Sequence, residues 1–268
     1  MNQAYWTVSN DGDVLIAEYW NPPANYFVDA AVNELAEIFR GLRPRTDVRA
    51  VVLTGRPDQP FITHFEVEEI LAGVLKPEEV VLRGPVRNTA VGELFAGMAT
   101  LPFPVIVAMS GDTMGFGFEL ALACDIRIGQ RGDILYGLPE VRLGIIPGSG
   151  GTQRLARLVG LDRAFDIVIR GRVFDPEAAH EAGLITELAG DARARALVLA
   201  HEIASFPQLA IAVAKRALNQ GIDAPLAAGL AIESDASVRA KLGPEVAGTL
   251  GDYLALAPAA RREWLRGA

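Results

Sequence analysis

Gly115-Phe116-Gly117-Phe118-Glu119-Leu120-Ala121-Leu122-Ala123-Cys124-Asp125 follows the apolar run Pro104 to Met109 and the turn residues Ser110-Gly111-Asp112-Thr113-Met114. An apolar strand, a glycine-containing turn and then a helix make the unit from which α/β sheets are built. This stretch puts one carboxylate, Glu119, just inside the helix. A second carboxylate follows at Pro139-Glu140, ahead of Ile145-Ile146-Pro147-Gly148-Ser149-Gly150-Gly151-Thr152-Gln153-Arg154. Two acids on separate elements, each beside turn residues, are candidates to meet across a pocket.

Outward from this centre, apolar runs bounded by turn signals predict strands at Val14 to Tyr19, Val48 to Thr54, Ile126 to Ile128 and Ile134 to Tyr136. Between them, spacings of three and four predict helices over Val28 to Leu42 and Val86 to Thr100. After Gly160 the pattern turns helical, with Arg163 to Ile169, Asp175 to Ala182, Ala192 to Ser205, Pro207 to Gln220 and Ala224 to Ala240. The expected organisation is an α/β core over residues 1–200 with a helical region over 201–268 packed on it.

Composition excludes several function classes. The 268 residues carry a formal charge of −8 with Lys and Arg scattered, which gives no footprint for nucleic acid. Apolar stretches are far shorter than the ~20 residues of a membrane span, and no basic-then-apolar leader opens the chain, so a cytoplasmic protein without a membrane partner is expected. One cysteine, Cys124, allows no internal disulfide, and its place on the helix after Glu119 suits a small buried residue. His64, His180 and His201 show no metal-ligand spacing, so no metal is expected.

The turn before Glu119 carries Gly111, Gly115 and Gly117, which permit close approach of backbone to ligand. Unpaired amides at the following helix start suit negative charge. The same glycines also suit tight strand-to-helix packing, and the turn alone does not choose between these readings. Its spacing fits neither a dinucleotide nor a Walker-type loop. Glu119, flanked by Phe118 and Leu120, is either on an outer face or buried for a reason. If Glu119 and Glu140 face one another across a dry pocket, desolvation and mutual repulsion raise at least one pKa, so that one acts as acid and the other as base.

The stretch from Ser110 to Arg154 resembles the signature of the enoyl-CoA hydratase/isomerase (crotonase) family. The similarity extends from Asn21-Pro22-Pro23-Ala24-Asn25 through Val51-Val52-Leu53-Thr54-Gly55 to Gly171-Arg172-Val173-Phe174-Asp175 and Ala182-Gly183-Leu184-Ile185. The resemblance implies a crotonase-like spiral of ββα units and a helical C-terminal trimerisation region, giving a homotrimer or a dimer of trimers. It also implies an acyl-CoA thioester as substrate, with coenzyme A part of that substrate and no separate cofactor. Family hydratases use two glutamates, and the matching positions here are Glu119 and Glu140, which favours addition of water to a 2-enoyl thioester. Glu119 would activate the water and Glu140 would protonate the α carbon. The oxyanion hole would come from the backbone amides of Phe65 and Phe116, where relatives carry small residues, and two phenylalanines there are expected to narrow or re-aim the acyl pocket.

Ala24, Asn25, Tyr26, His64, Gly115, Gly117 and Pro139 match the positions that line the family's coenzyme A and substrate site. Arg83, Arg87, Lys215 and Arg216 are the candidates for its phosphates. Gly148-Ser149-Gly150-Gly151 lacks a serine-hydrolase frame and is expected to shape a turn beside the site. Isomerase, hydrolase or lyase chemistry on an acyl-CoA, or a weakly active acyl-CoA-binding scaffold, are the alternative readings.

Overall fold

A computed structural model describes residues 4–73 and 89–266. They fall into two compact units, Met1–Ile203 and Ala204–Ala268.

The first unit is built on a six-stranded sheet in the order β1(Trp6–Asp11), β2(Val14–Tyr19), β3(Ala50–Gly55), β4(Val105–Met109), β6(Ile126–Gln130), β9(Glu187–Ala189). β1 and β2 form an antiparallel hairpin, and every later pair is parallel. β3 and β4 are buried at every residue, as parallel strands covered on both faces must be, and this explains their unbroken apolar runs. Only Trp6 of β1 is buried, so this edge strand carries little apolar signal and was not expected from the sequence.

α1(Asp29–Leu42) and α3(Thr89–Thr100) pack against each other, and α2(Val67–Ala72) lies between β3 and α3 in the chain. The helix expected over Val86 to Thr100 is seen from Thr89 onward, and its first three residues lie outside the described ones. A small second sheet joins β5(Thr113–Met114), β7(Tyr136–Gly137) and β8(Val173–Phe174). The strand expected at Ile134 to Tyr136 is thus a two-residue strand at Tyr136–Gly137.

The helix that carries the first acid is α4(Phe116–Ala123), which is apolar all round and buried from Phe116 to Leu122. Its C-terminal end is anchored by Arg127, whose buried guanidinium donates to the carbonyls of Ala121, Cys124 and Leu184. Cys124 is buried. A 3₁₀ helix, Glu140–Leu143, follows β7, and α5(Gly151–Val159), α6(Leu161–Ile169), α7(Pro176–Glu181) and α8(Ala192–Ala204) complete this part of the chain. Asp175 caps α7 by accepting the Ala178 amide at 2.8 Å.

The second unit holds α9(Gln208–Gly221) and α10(Leu226–Ala240), which pack on each other, then α11(Val246–Ala255) and α12(Pro258–Arg266). No single helix among the described residues is long and apolar enough to cross a membrane.

Candidate active site

The two acids meet because β5 and β7 pair in parallel, Thr113 with Tyr136 and Met114 with Gly137. The Gly115 amide then donates to the Gly137 carbonyl at 3.0 Å, which brings the start of α4 beside the segment leading to Glu140. Gly137 has φ +154°, and a Cβ there would fall 2.4 Å from the carbonyl oxygen of Arg172, the residue before β8, so β8 can close up only on a glycine. Gly115 caps α4 at φ +54° and ψ −128°, a conformation that side chains disfavour. A Cβ on Gly115 would lie 3.6 Å from Glu140 Oε1, so this turn passes directly alongside the second carboxylate.

Glu119 is 3% exposed, and its Oε1 accepts two backbone amides, Ser149 N–H and Gly151 N–H, each at 2.7 Å. Gly151 is required for this approach, because a Cβ there would sit 2.9 Å from Oε1 and 2.8 Å from Pro147 Cβ. Burial pushes the Glu119 pKa up, while the two amides and the Arg154 guanidinium pull it back toward the ionised form.

Glu140 is 8% exposed, and both its carboxyl oxygens are buried without a hydrogen-bond partner among the described residues. Desolvation pushes its pKa up to about 7; its own backbone amide pulls it down in part, and the negative charge of Glu119 adds to the rise. A buried carboxyl without a partner is costly and is rarely retained for stability alone. The pair is therefore unequal: one carboxylate is held by backbone donors, and the other has its pKa raised to about 7 by its dry surroundings.

The Phe65 segment lies against the turn that opens α4. Met114 N–H donates to the Thr63 carbonyl at 2.8 Å, and a Cβ on Gly117 would meet the Ile62 carbonyl oxygen at 2.4 Å. Gly117 thus permits contact between the α4 turn and residues 62–65. Phe27 bridges Phe65 through the His64 carbonyl and the Glu66 amide, each at 2.7 Å, which leaves the Phe65 N–H outside that bridge. Among the described residues the amides of Phe65 and Phe116 donate to no protein group, the latter because it lies in the first turn of α4.

The rings of the two phenylalanines expected to narrow or re-aim the acyl pocket pack in one cluster with Phe27 and Phe95. Phe116 is buried and stacks on Phe27 with centroids 4.8 Å apart, and it also borders Phe95 at 6.2 Å. Half-buried Phe65 meets Phe116 edge-on at 5.5 Å. The rings pin the two donor segments to a common aromatic cluster.

The remaining expected site residues divide between scaffold and surface. All the polar atoms of the Asn25 side chain are engaged within the protein: Nδ2 donates to the carbonyls of Pro60 and Phe61, and Oδ1 accepts the Asn21 amide. The Ala24 carbonyl accepts the Thr63 hydroxyl at 2.8 Å, and the Tyr26 carbonyl accepts from Tyr19 and Asn21. The half-buried Tyr26 ring of this loop stacks on His64 at 4.2 Å, with His64 Nδ1 2.7 Å from the Phe65 carbonyl oxygen. Pro139 caps the 3₁₀ helix that begins with Glu140.

Of the phosphate candidates, Arg83 and Arg87 lie outside the described residues. Lys215 is buried in the second unit, and Arg216 pairs with Asp235 at 2.5 Å. No group of three or more metal-ligating side chains occurs among the described residues. Sequence reasoning missed the Ser149 and Gly151 amides, since a backbone donor carries no side-chain signature. The available signal was the glycine run at 148–151 shortly after the second acid.

With this geometry in view, comparison with known proteins is decisive: residues 12–241 match the enoyl-CoA hydratase/isomerase family. The chain belongs to that family. The short-chain-enoyl-CoA hydratase of Clostridium acetobutylicum is 30% identical over 232 residues, 85% of this chain and 86% of that protein. The mitochondrial methylglutaconyl-CoA hydratase of Mus musculus is 46% identical over a shorter 142 residues, 51% of this chain and 45% of that protein. Among solved structures, the enoyl-CoA hydratase of Bacillus anthracis superposes with a TM-score of 0.82 at 31% identity, covering 93% of this chain and 95% of that one. The architecture is accordingly the crotonase fold, and enoyl-CoA hydratase/isomerase family members act on acyl-CoA thioesters.

Proposed function

We propose that the protein adds water across the double bond of a 2-trans-enoyl-CoA to give a 3-hydroxyacyl-CoA. The observation that carries this reading is the unequal glutamate pair, with Glu119 held by two amides and Glu140 buried without a partner and titrating near neutrality. Water addition needs both a base and an acid at one place. Glu119 accepts a proton from the water as its oxygen attacks the β carbon, and electron density moves through the α carbon onto the thioester oxygen. The Phe65 and Phe116 amides stabilise that oxygen, each such donor being worth about 3 kcal/mol at the transition state. Glu140 then delivers its proton to the α carbon on the same face, giving syn addition with atoms and charge in balance.

The reaction draws on no separate cofactor, because the thioester itself activates the alkene. We further propose that the protein is a cytoplasmic homotrimer or dimer of trimers. Exposed Leu226, Leu230, Val238 and Leu242 in the second unit support subunit contact. The relative named for methylglutaconyl-CoA makes a branched enoyl thioester a natural second substrate to examine.

The test is incubation of the protein with crotonyl-CoA and 3-methylglutaconyl-CoA. Loss of the conjugated-thioester ultraviolet absorbance, with the 3-hydroxyacyl product identified by mass spectrometry, is the expected result. Double-bond migration without water uptake would replace this reading with isomerisation. No turnover of any thioester in the panel would remove it.

A further inference from the structure

We propose that Arg154 is a positioning residue that holds Glu119 in place and in its ionised form, so reinforcing the base role that the Ser149 and Gly151 amides already favour for this acid. The inference deepens the hydratase reading and rests on it for the role of Glu119.

Arg154 stands one turn into α5, with its guanidinium carbon 4.9 Å from the centre of the Phe95 ring and Nη1 donating to the Ser149 carbonyl at 3.4 Å. Ser149 is also one of the two residues whose amides hold Glu119. Between the two amides lies Gly150, at φ +100°, where a Cβ would come within 1.9 Å of Arg154 Nη1. The Ser149-Gly150-Gly151 turn is therefore shaped from two sides. Its amides at 149 and 151 face Glu119, while its carbonyl at 149 and the space at 150 receive the guanidinium.

Among the described residues Arg154 makes no ion pair, and its charge acts on Glu119 through partly desolvated space. Cys124 and the cation Arg157 are the other titratable groups near it. The charge of Glu119 in turn raises the pKa of Glu140 on the 3₁₀ helix. Arginine stays protonated when partly buried, so this field is constant across the working pH. Phe95 also touches Phe116, so one ring joins the guanidinium to the oxyanion segment.

The test combines a titration that needs no turnover with a pH–rate profile. In protein labelled with carboxyl-¹³C glutamate, the Glu119 and Glu140 resonances are assigned from Glu119→Gln and Glu140→Gln, and Glu119 is expected to ionise at the lower pH. Arg154→Gln is expected to move the Glu119 titration upward and to lower kcat/KM about tenfold more on the acid limb than on the alkaline limb. Arg154→Lys keeps the charge and is expected to retain the wild-type order of ionisation.

A Glu119 titration unmoved in soluble Arg154→Gln, or a wild-type Glu119 that ionises after Glu140, overturns the proposal. Should Arg154→Gln fail to fold, the wild-type order and Arg154→Lys still decide it. The expected order of titration in a protein that hydrates no enoyl thioester would support the Arg154 assignment while removing the hydratase reading.

Discussion

α4 and the 3₁₀ helix at Glu140–Leu143 each deliver one glutamate to the same place by opposite means. α4 is buried along seven of its eight residues, and its Glu119 is met by donors from another segment, Ser149 and Gly151. The 3₁₀ helix buries only Glu140 of its four residues, and among the described residues the carboxyl oxygens of that side chain have no partner that meets hydrogen-bond geometry. The contrast teaches that residue type alone does not assign a chemical role. A carboxylate surrounded by N–H groups is prepared to receive a proton, whereas one in a dry site without donors holds a proton ready to give.

Removing either acid is expected to have the largest effect. Glu119→Gln and Glu140→Gln should each lower kcat on crotonyl-CoA by about 10²- to 10⁴-fold. Because the two act in one reaction, the double variant should fall little further than the worse single one. Strictly additive losses in steady-state assays would show that the acids work independently, and the contrast drawn above would then carry no mechanism.

Gly151→Ala is expected to come next. Its Cβ would push against Glu119 Oε1 at 2.9 Å and Cγ at 3.0 Å, so the carboxylate or the turn must shift. A displacement of this kind should cost up to about 100-fold in kcat. It should also destabilise the fold by about 1–3 kcal/mol, read from denaturant midpoints. A variant with normal kcat would show that the amide tether is dispensable.

How much of this was legible in the sequence follows from what each feature depends on. β3 and β4 could be read because their burial on both faces demands continuous apolar residues, and α4 because a helix that is apolar all round leaves a single acid conspicuous. The resemblance then paired Glu119 with Glu140. The two-residue strands β5, β7 and β8, which bring the acids together, are too short to show a period. α5 was hidden because it opens on glycines without a side-chain cap, and with it the role of Arg154. The inward turn of the Phe116 ring depends on Phe27 and Phe95, which are distant in sequence.

The pH dependence sharpens the contrast further. The proposed hydration route requires Glu140 protonated, and its pKa is pushed up to about 7 by burial. Thus kcat/KM should fall as pH rises above about 7, approaching tenfold per unit in the limit. Stability should follow the same group. A folded-state pKa raised above the unfolded value stabilises the fold fully below the unfolded pKa, near 4.5, and that contribution is lost as pH rises through about 7. Relative to Glu140→Gln, the wild-type protein should therefore lose about 3 kcal/mol between mildly acid and mildly alkaline solution, measured by urea unfolding at each pH. A constant difference would mean that Glu140 is solvated in the folded protein.

The smallest effect is expected at the other group that α4 supplies, the Phe116 amide. Phe116→Leu keeps the N–H and most of the apolar volume while removing the ring stacked on Phe27. If the ring serves packing and the amide serves the oxyanion, the substitution should lower stability by about 1 kcal/mol and leave kcat nearly unchanged. A large loss of kcat with stability intact would instead make the aromatic cluster part of the oxyanion geometry. The difference between the two glutamates would then be only one of two asymmetries on which the reaction depends.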